Sequence, residues 1–231
     1  MFRLLAVVVL FALSSLKFAH AFTITLEPDK WYLLSVPGAV DRSVADIVGD
    51  QLDADDLDQN WVIYAFDSQS QRYRQNTPDM ELTAGDAFWL LHMHDDAVDL
   101  QVALDAPTVD LIQQSGCASS IGCFEYALPT GDNVAWSLLG SPFPEGVAIA
   151  EIRLVTYGGP CSGGCTLEAA QEMGISNASF FGYDEAKNKY NTLSGGEYIE
   201  AGEGYWLTTR IPAEYSPARL IMPTFCTPID T

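Results

Sequence analysis

The pattern of apolar and polar positions reads as strands almost throughout. Phe22-Thr23-Ile24-Thr25-Leu26 alternates apolar and polar, the two-residue period of a half-buried strand. Trp31 to Val36 runs apolar until Pro37 ends it. Trp61 to Phe66 is rich in aromatic and β-branched residues, as strands are. Asp67-Ser68-Gln69-Ser70-Gln71 is a turn composition, and Tyr73 starts a return strand. Val98 to Leu104 alternates again. One helical turn is expected over Val44 to Ile47, with Ser43 as its cap.

These segments recur. Trp31-Tyr32-Leu33-Leu34-Ser35-Val36-Pro37 matches Trp136-Ser137-Leu138-Leu139-Gly140-Ser141-Pro142, an offset of 105 (136 − 31). Val44-Ala45-Asp46-Ile47 matches Ile149-Ala150-Glu151-Ile152 at the same offset. Tyr64-Ala65-Phe66-Asp67 matches Phe181-Gly182-Tyr183-Asp184, and Tyr73 matches Tyr190, now at 117 (184 − 67). Ala84-Gly85-Asp86-Ala87-Phe88-Trp89-Leu90 matches Ala201-Gly202-Glu203-Gly204-Tyr205-Trp206-Leu207, again at 117. Four blocks in one order identify an internal duplication. The rise in offset places an insertion of 12 residues (117 − 105) in the second copy, around Gly158 to Cys165, with a short helix over Leu167 to Met173. Asp184 to Asn188 repeats the turn before Tyr190, and Arg219 to Met222 is the counterpart of Val98 to Leu104. The expected fold is mainly β: two tandem β-sandwich or barrel-like modules, with short helices in loops. Residues 22–110 form the first module and 111–231 the second, with the boundary between Asp105 and Gly116.

The blocks resemble a recurrent module of exported bacterial surface proteins. That module opens with Gly-Trp-x-Leu-Ile-Ser-x-Pro, has a central aromatic hairpin, and closes with Gly-x-Gly-Tyr-Trp and an aliphatic residue. Gly202-Glu203-Gly204-Tyr205-Trp206-Leu207 fits the close, and Gly85-Asp86-Ala87-Phe88-Trp89-Leu90 follows it more loosely. Lys30 and Ala135 stand where the opening glycine belongs. The resemblance implies a β-rich module of exported, often multidomain proteins, and it brings no catalytic residues.

Composition narrows the partners. Against 31 acidic residues there are 11 basic ones, a formal net charge of −20 in 231 residues. A nucleic-acid binder needs a basic face, so nucleic acid is excluded as the expected partner. Residues 1–21 read as a secretory signal peptide: Arg3 is the basic start, Leu4 to Leu13 the apolar run, and Ala19-His20-Ala21 the small-x-small cleavage site. No later apolar run is long enough to cross a membrane as a helix. The protein is therefore expected to be exported, to the periplasm or the exterior.

Export favours disulfides among Cys117, Cys123, Cys161, Cys165 and Cys226. The local choice is Cys117–Cys123 and Cys161–Cys165 with Cys226 left over, the alternative being a Cys226 that ties the tail to the second module. No Cys-x-x-Cys spacing points to zinc. Asp53, Asp55, Asp56 and Asp58 form an acidic loop whose hard oxygen ligands suit calcium. His92 and His94, at i and i+2 of a strand, are an incomplete transition-metal set against a bland strand end. Four tryptophans fall in repeat pairs, which points first to packing. For stacking on a glycan, Trp61, Tyr157 and Tyr198 are the candidates.

No Gly-x-Ser-x-Gly, P-loop or dinucleotide fingerprint is present. The expected function is an exported, non-enzymatic binding or structural protein engaging a protein partner or the cell surface. A carbohydrate-binding protein is the alternative, and a hydrolase using paired carboxylates ranks last.

Overall fold

The computed structural model describes residues 20–38, 42–43, 47, 52, 58–74, 80–104, 117 and 122–224, and it is mainly β. The first half holds β1 (His20–Leu26), β2 (Lys30–Ser35), β3 (Arg42–Ser43), β4 (Trp61–Asp67), β5 (Arg72–Arg74), β6 (Glu81–Leu82), β7 (Ala87–His92) and β8 (Val98–Leu104). The second half holds β9 (Cys123–Leu128), β10 (Ala135–Gly140), β11 (Val147–Ala148), β12 (Arg153–Thr156) and β13 (Cys165–Thr166). Helix α1 (Leu167–Glu172) follows, then β14 (Ser176–Asp184), β15 (Lys189–Leu193), β16 (Tyr198–Ile199), β17 (Gly204–Thr209) and β18 (Ala218–Pro223).

All the pairings are antiparallel. Each half centres on a four-stranded sheet, ordered β2-β7-β4-β5 in the first and β10-β17-β14-β15 in the second. The registers agree at the offsets read from the sequence except where β14 meets β17: Trp61 pairs with His92, but Thr209, the counterpart of His92, pairs with Ser176 across a register shift. Leu33 pairs with Trp89 as Leu138 pairs with Trp206, and Phe66 pairs with Tyr73 as Tyr183 pairs with Tyr190. The small ribbons agree too: Arg42 pairs with Leu82 as Val147 pairs with Ile199. Among the described residues none of the sheets closes into a barrel.

Each central sheet buries one face in its own half. In the first, Leu26, Tyr32, Trp61, Ile63, Phe88 and Leu100 share a core. In the second, the sheet packs through Leu139, Phe180, Tyr205 and Leu207 against Leu154, Leu220 and Met222 of the sheet β13-β12-β18-β9. One tyrosine hydroxyl in each core holds a backbone N–H: Tyr32 accepts from the Glu27 N–H at 2.6 Å, and Tyr205 from the Glu200 N–H at 3.1 Å.

In the second half β12, β13 and α1 lie around the inserted segment. Thr166 caps α1, its hydroxyl accepting from the Ala169 N–H at 3.2 Å, as expected of a residue at that position. Leu167 and Ala170, three apart, bury one helical face in the core. The expected turn after Ser43 is represented by a helical Ile47, and its counterpart is a 3-10 turn over Ile149–Glu151.

Both local disulfides are formed, Cys117–Cys123 at the entry to β9 and Cys161–Cys165 across the insertion. Cys226 lies outside the described residues, as do most of the predicted signal segment and the boundary between Asp105 and Gly116. No helix among the described residues is long and apolar enough to cross a membrane.

Candidate functional site: two aromatic clefts where the halves meet

Strand alternation sends half of each central sheet's side chains away from its own core. In β2 and β7 these are Trp31, Leu33, Ala87 and Trp89, and in β4 Tyr64 and Phe66. From the second half come Leu138, Phe181, Tyr183 and Trp206. Leu33, Ala87, Trp89, Leu138 and Trp206 close into a third buried cluster, with Trp31, Phe66, Phe181 and Tyr183 packed partly against it. The two sheets therefore pack face to face, and neither central sheet has a fully solvated face.

The contact is reciprocal. The Ser35 N–H donates to the Gly202 carbonyl at 2.8 Å, and its counterpart, the Gly140 N–H, donates to the Gly85 carbonyl at 2.9 Å. Leu34 bridges to Glu203 as Leu139 bridges to Asp86. Gly85 and Gly202 hold φ of +81° and +80°, a left-handed turn that glycine adopts without a Cβ penalty. The backbones come closest at Gly140, where an added Cβ would stand 2.1 Å from the Ser35 Cβ and 2.7 Å from the Glu203 carbonyl oxygen. One further contact breaks the reciprocity. The Gln71 side-chain amide donates to the Trp136 carbonyl and accepts from the Trp136 N–H, both at 2.8 Å. Its counterpart Asn188 instead accepts from the Tyr183 hydroxyl.

The sheets do not cover each other completely, and two clefts remain. The first, of about 390 Å³, is lined by Trp31, Tyr64, Tyr73 and Trp89 of one half and Tyr183 of the other. The second, of about 410 Å³, is lined by Trp136, Phe181, Tyr190 and Trp206 with Phe66 of the first half. Every lining residue of one cleft is the repeat counterpart of a lining residue of the other. Ring geometry repeats as well. Trp31 and Trp89 stand 6.1 Å apart at 88°, and Trp136 and Trp206 stand 5.9 Å apart at 89°. Phe66 crosses to Trp206 and Tyr183 crosses to Trp89, each with centroids 4.9 Å apart and near-perpendicular rings.

Tyr64, Tyr73, Trp136 and Tyr190 are between 40% and 54% exposed, so the clefts open to solvent. An open cluster of this many large rings is unusual on a protein surface. Burial pushes the Tyr73, Tyr183 and Tyr190 phenols up from their usual range, so they stay neutral hydrogen-bonding groups near neutral pH.

The stacking candidates read from the sequence fall elsewhere. Trp61 is 1% exposed, enclosed in the first core, so its indole offers no open face to a ring. It lies three residues from Tyr64 on the same strand, and alternation puts the two on opposite faces. Tyr157, at 72%, and Tyr198, at 47%, are exposed but line neither cleft. The cleft residues were visible in the sequence as repeat-paired aromatics, a signal that pointed first to packing.

Asp53, Asp55 and Asp56 lie outside the described residues; Asp58 is exposed at φ +64°, and its N–H donates to the Trp61 carbonyl at 2.8 Å. Among the described residues no three His, Cys, Asp or Glu side chains converge on a metal position. His92 and His94 stack at 6.2 Å, with His92 buried in the sheet. Asp67 holds its own turn, accepting from the Gln69 and Ser70 N–H groups at 2.9 and 3.1 Å, which lower its carboxyl from the usual range. Asp184 does the same at the equivalent turn, held down chiefly by its bond with Lys187. A glycosidase acid needs a raised carboxyl, the opposite shift. Asp86, beside Asp67 in a polar cavity between the halves, accepts from the Thr83 N–H and hydroxyl. No protein-family model, curated protein or solved structure matches the chain.

Proposed function

We propose that this chain is an exported binding protein built from two copies of one β module, and that its paired aromatic clefts engage a partner at the cell surface. The observation that carries this reading is the correspondence of the clefts, ring for ring, across the duplication. A packing interface alone needs no open wall, yet the rims carry exposed tyrosines and a 43%-exposed tryptophan. Two local disulfides suit an oxidising compartment. The turn-bound carboxylates favour binding over hydrolysis. A protein partner is the first reading, because aromatic surfaces with few charges dominate protein contacts. A glycan is the second, favoured by tyrosine hydroxyls set beside indole faces.

The test is affinity capture from native envelope and medium extracts, with and without Ca²⁺, comparing the disulfide-bonded protein with a Trp31→Leu/Trp136→Leu variant. Protein retained by the wild type and lost by the variant is the expected result. Polysaccharide without protein moves the reading to glycan binding. Retention that survives both substitutions overturns the clefts as the contact surface. Retention that requires Ca²⁺ assigns a role to the acidic loop at Asp53, Asp55, Asp56 and Asp58.

A further inference from the structure

We propose that both clefts are sites for a quaternary ammonium cation, of the trimethylammonium type carried by choline, and that the first-half cleft binds it more tightly. The inference rests on the reading of the clefts as binding sites and names their ligand class.

Three features of the lining select this chemistry. Every described lining residue is aromatic, and among the described residues no lysine, arginine or carboxylate lines either cleft. Trp31 with Trp89, Tyr64 with Tyr73 and Trp136 with Trp206 meet at near right angles with centroids about 6 Å apart, while Trp31–Tyr64 and Trp136–Phe181 are tilted at 40° and 52°, so the walls make corners and not a flat stacking platform. Two perpendicular faces at that spacing can both lie within about 6 Å of one shared cation, the reach of a cation–π contact. The third feature is charge: a chain of net charge −20 draws cations to its surface and repels anions.

Among cations the lining favours one without N–H donors. A primary ammonium entering a site with few acceptors would lose water bonds and regain little. A quaternary ammonium has no such bonds to lose, and its diffuse charge sits against ring faces. Each cleft opens to solvent, leaving a path for the rest of the ligand.

The repeat differences predict the order of affinity. Tyr64 and Tyr183 in the first cleft stand where Phe181 and Phe66 stand in the second. The Glu185 carboxylate also acts electrostatically on Tyr183 and Tyr32, while its counterpart in the first half is Ser68. The two added phenol oxygens, with Glu185 acting on Tyr183, favour a cation in the first cleft.

The experiment titrates the disulfide-bonded protein with choline chloride at constant ionic strength, followed by tryptophan fluorescence and calorimetry. The control ligand is 3,3-dimethylbutan-1-ol, the same shape without the charge. The expected result is saturable choline binding at two unequal sites, at least about tenfold tighter than the alcohol. Tyr64→Leu, a substitution at an exposed wall, should weaken only the tighter site, and Trp136→Leu only the weaker. Near-UV circular dichroism checks that both variants fold, and Trp31→Phe replaces Tyr64→Leu if that variant does not. Equal binding of alcohol and choline overturns the cation claim while leaving the clefts as apolar sites. Absence of saturation by either ligand overturns the claim too, and the capture experiment then stands alone as the test of the clefts. Unchanged affinities in both variants place the cation outside the clefts and also overturn it.

Discussion

The two halves use the same strand order and a matching ring arrangement, yet where Ser35 meets Gly140 they differ. Ser35 and Gly140 are repeat counterparts, and they meet each other. The contact has the form of a two-fold interface, in which equivalent positions face one another. At such a point two side chains compete for one space. Ser35 fills it, and Gly140 leaves it empty. A similar division appears at Ala87 and Gly204, where a Cβ on Gly204 would stand 3.0 Å from the Ala87 Cβ. Trp89 and Trp206 stay alike within the same shared cluster because they do not compete for one space: Trp89 packs on Tyr183 and Trp206 on Phe66.

The comparison can be broken most sharply at Gly140. Gly140→Val should destabilise the protein by about 3 kcal/mol or more, since both a side chain and the Glu203 carbonyl stand in the way. Chemical denaturation measures the loss. Ser35→Gly combined with Gly140→Ala should recover part of the stability lost in Gly140→Ala alone. No recovery would mean that the clash with the Glu203 backbone decides the position, not the Ser35 side chain.

The matched tryptophans give the next effect. Trp89→Ala and Trp206→Ala should each cost about 3 to 5 kcal/mol, with nearly equal values, because both are buried in the shared cluster. A large inequality in the denaturation midpoints would show that the halves depend on the junction to different degrees.

The insertion offers a one-sided perturbation. Replacing Cys161 and Cys165 by serine should cost about 2 kcal/mol on the loop-closure argument. Hydrogen exchange should register the loss around β12, β13 and α1 while leaving the first-half core protected.

The smallest effect concerns the two hairpin turns. Asp67 and Asp184 have carboxyls lowered in the folded state, so their contribution is present above the unfolded value of about 3.9 and fades as pH falls through the folded values. Asp67→Ala should cost its full contribution at pH 7 and progressively less as pH falls below about 4, flattening the acid limb of the stability profile. An unchanged acid limb would separate the turn from the acid sensitivity.

Much of the fold was legible because its signals are local. Two-residue alternation marked β1 and β8, Asp-led turns marked the hairpins before Tyr73 and Tyr190, and the offsets marked the repeat. The four disulfide cysteines paired within loops of a few residues, so chain proximity was enough. The acidic loop and Cys226 fall outside the described residues and add nothing to this comparison.

The site was less legible, and β4 shows why. Trp61 to Phe66 is apolar on both faces, so the run announces a strand and stays silent about which face meets what. Trp61 and Ile63 went to the core of their own half, while Tyr64 and Phe66 went to the junction. Parity along the strand separates these two sets, but only the packing of one sheet on the other says which set is left partly open. Local chemistry, written in neighbouring residues, determined the strands, turns, repeat and disulfides. The clefts depend on surfaces drawn from both halves of the chain, and only the tertiary structure decided where those surfaces meet and where they stop short.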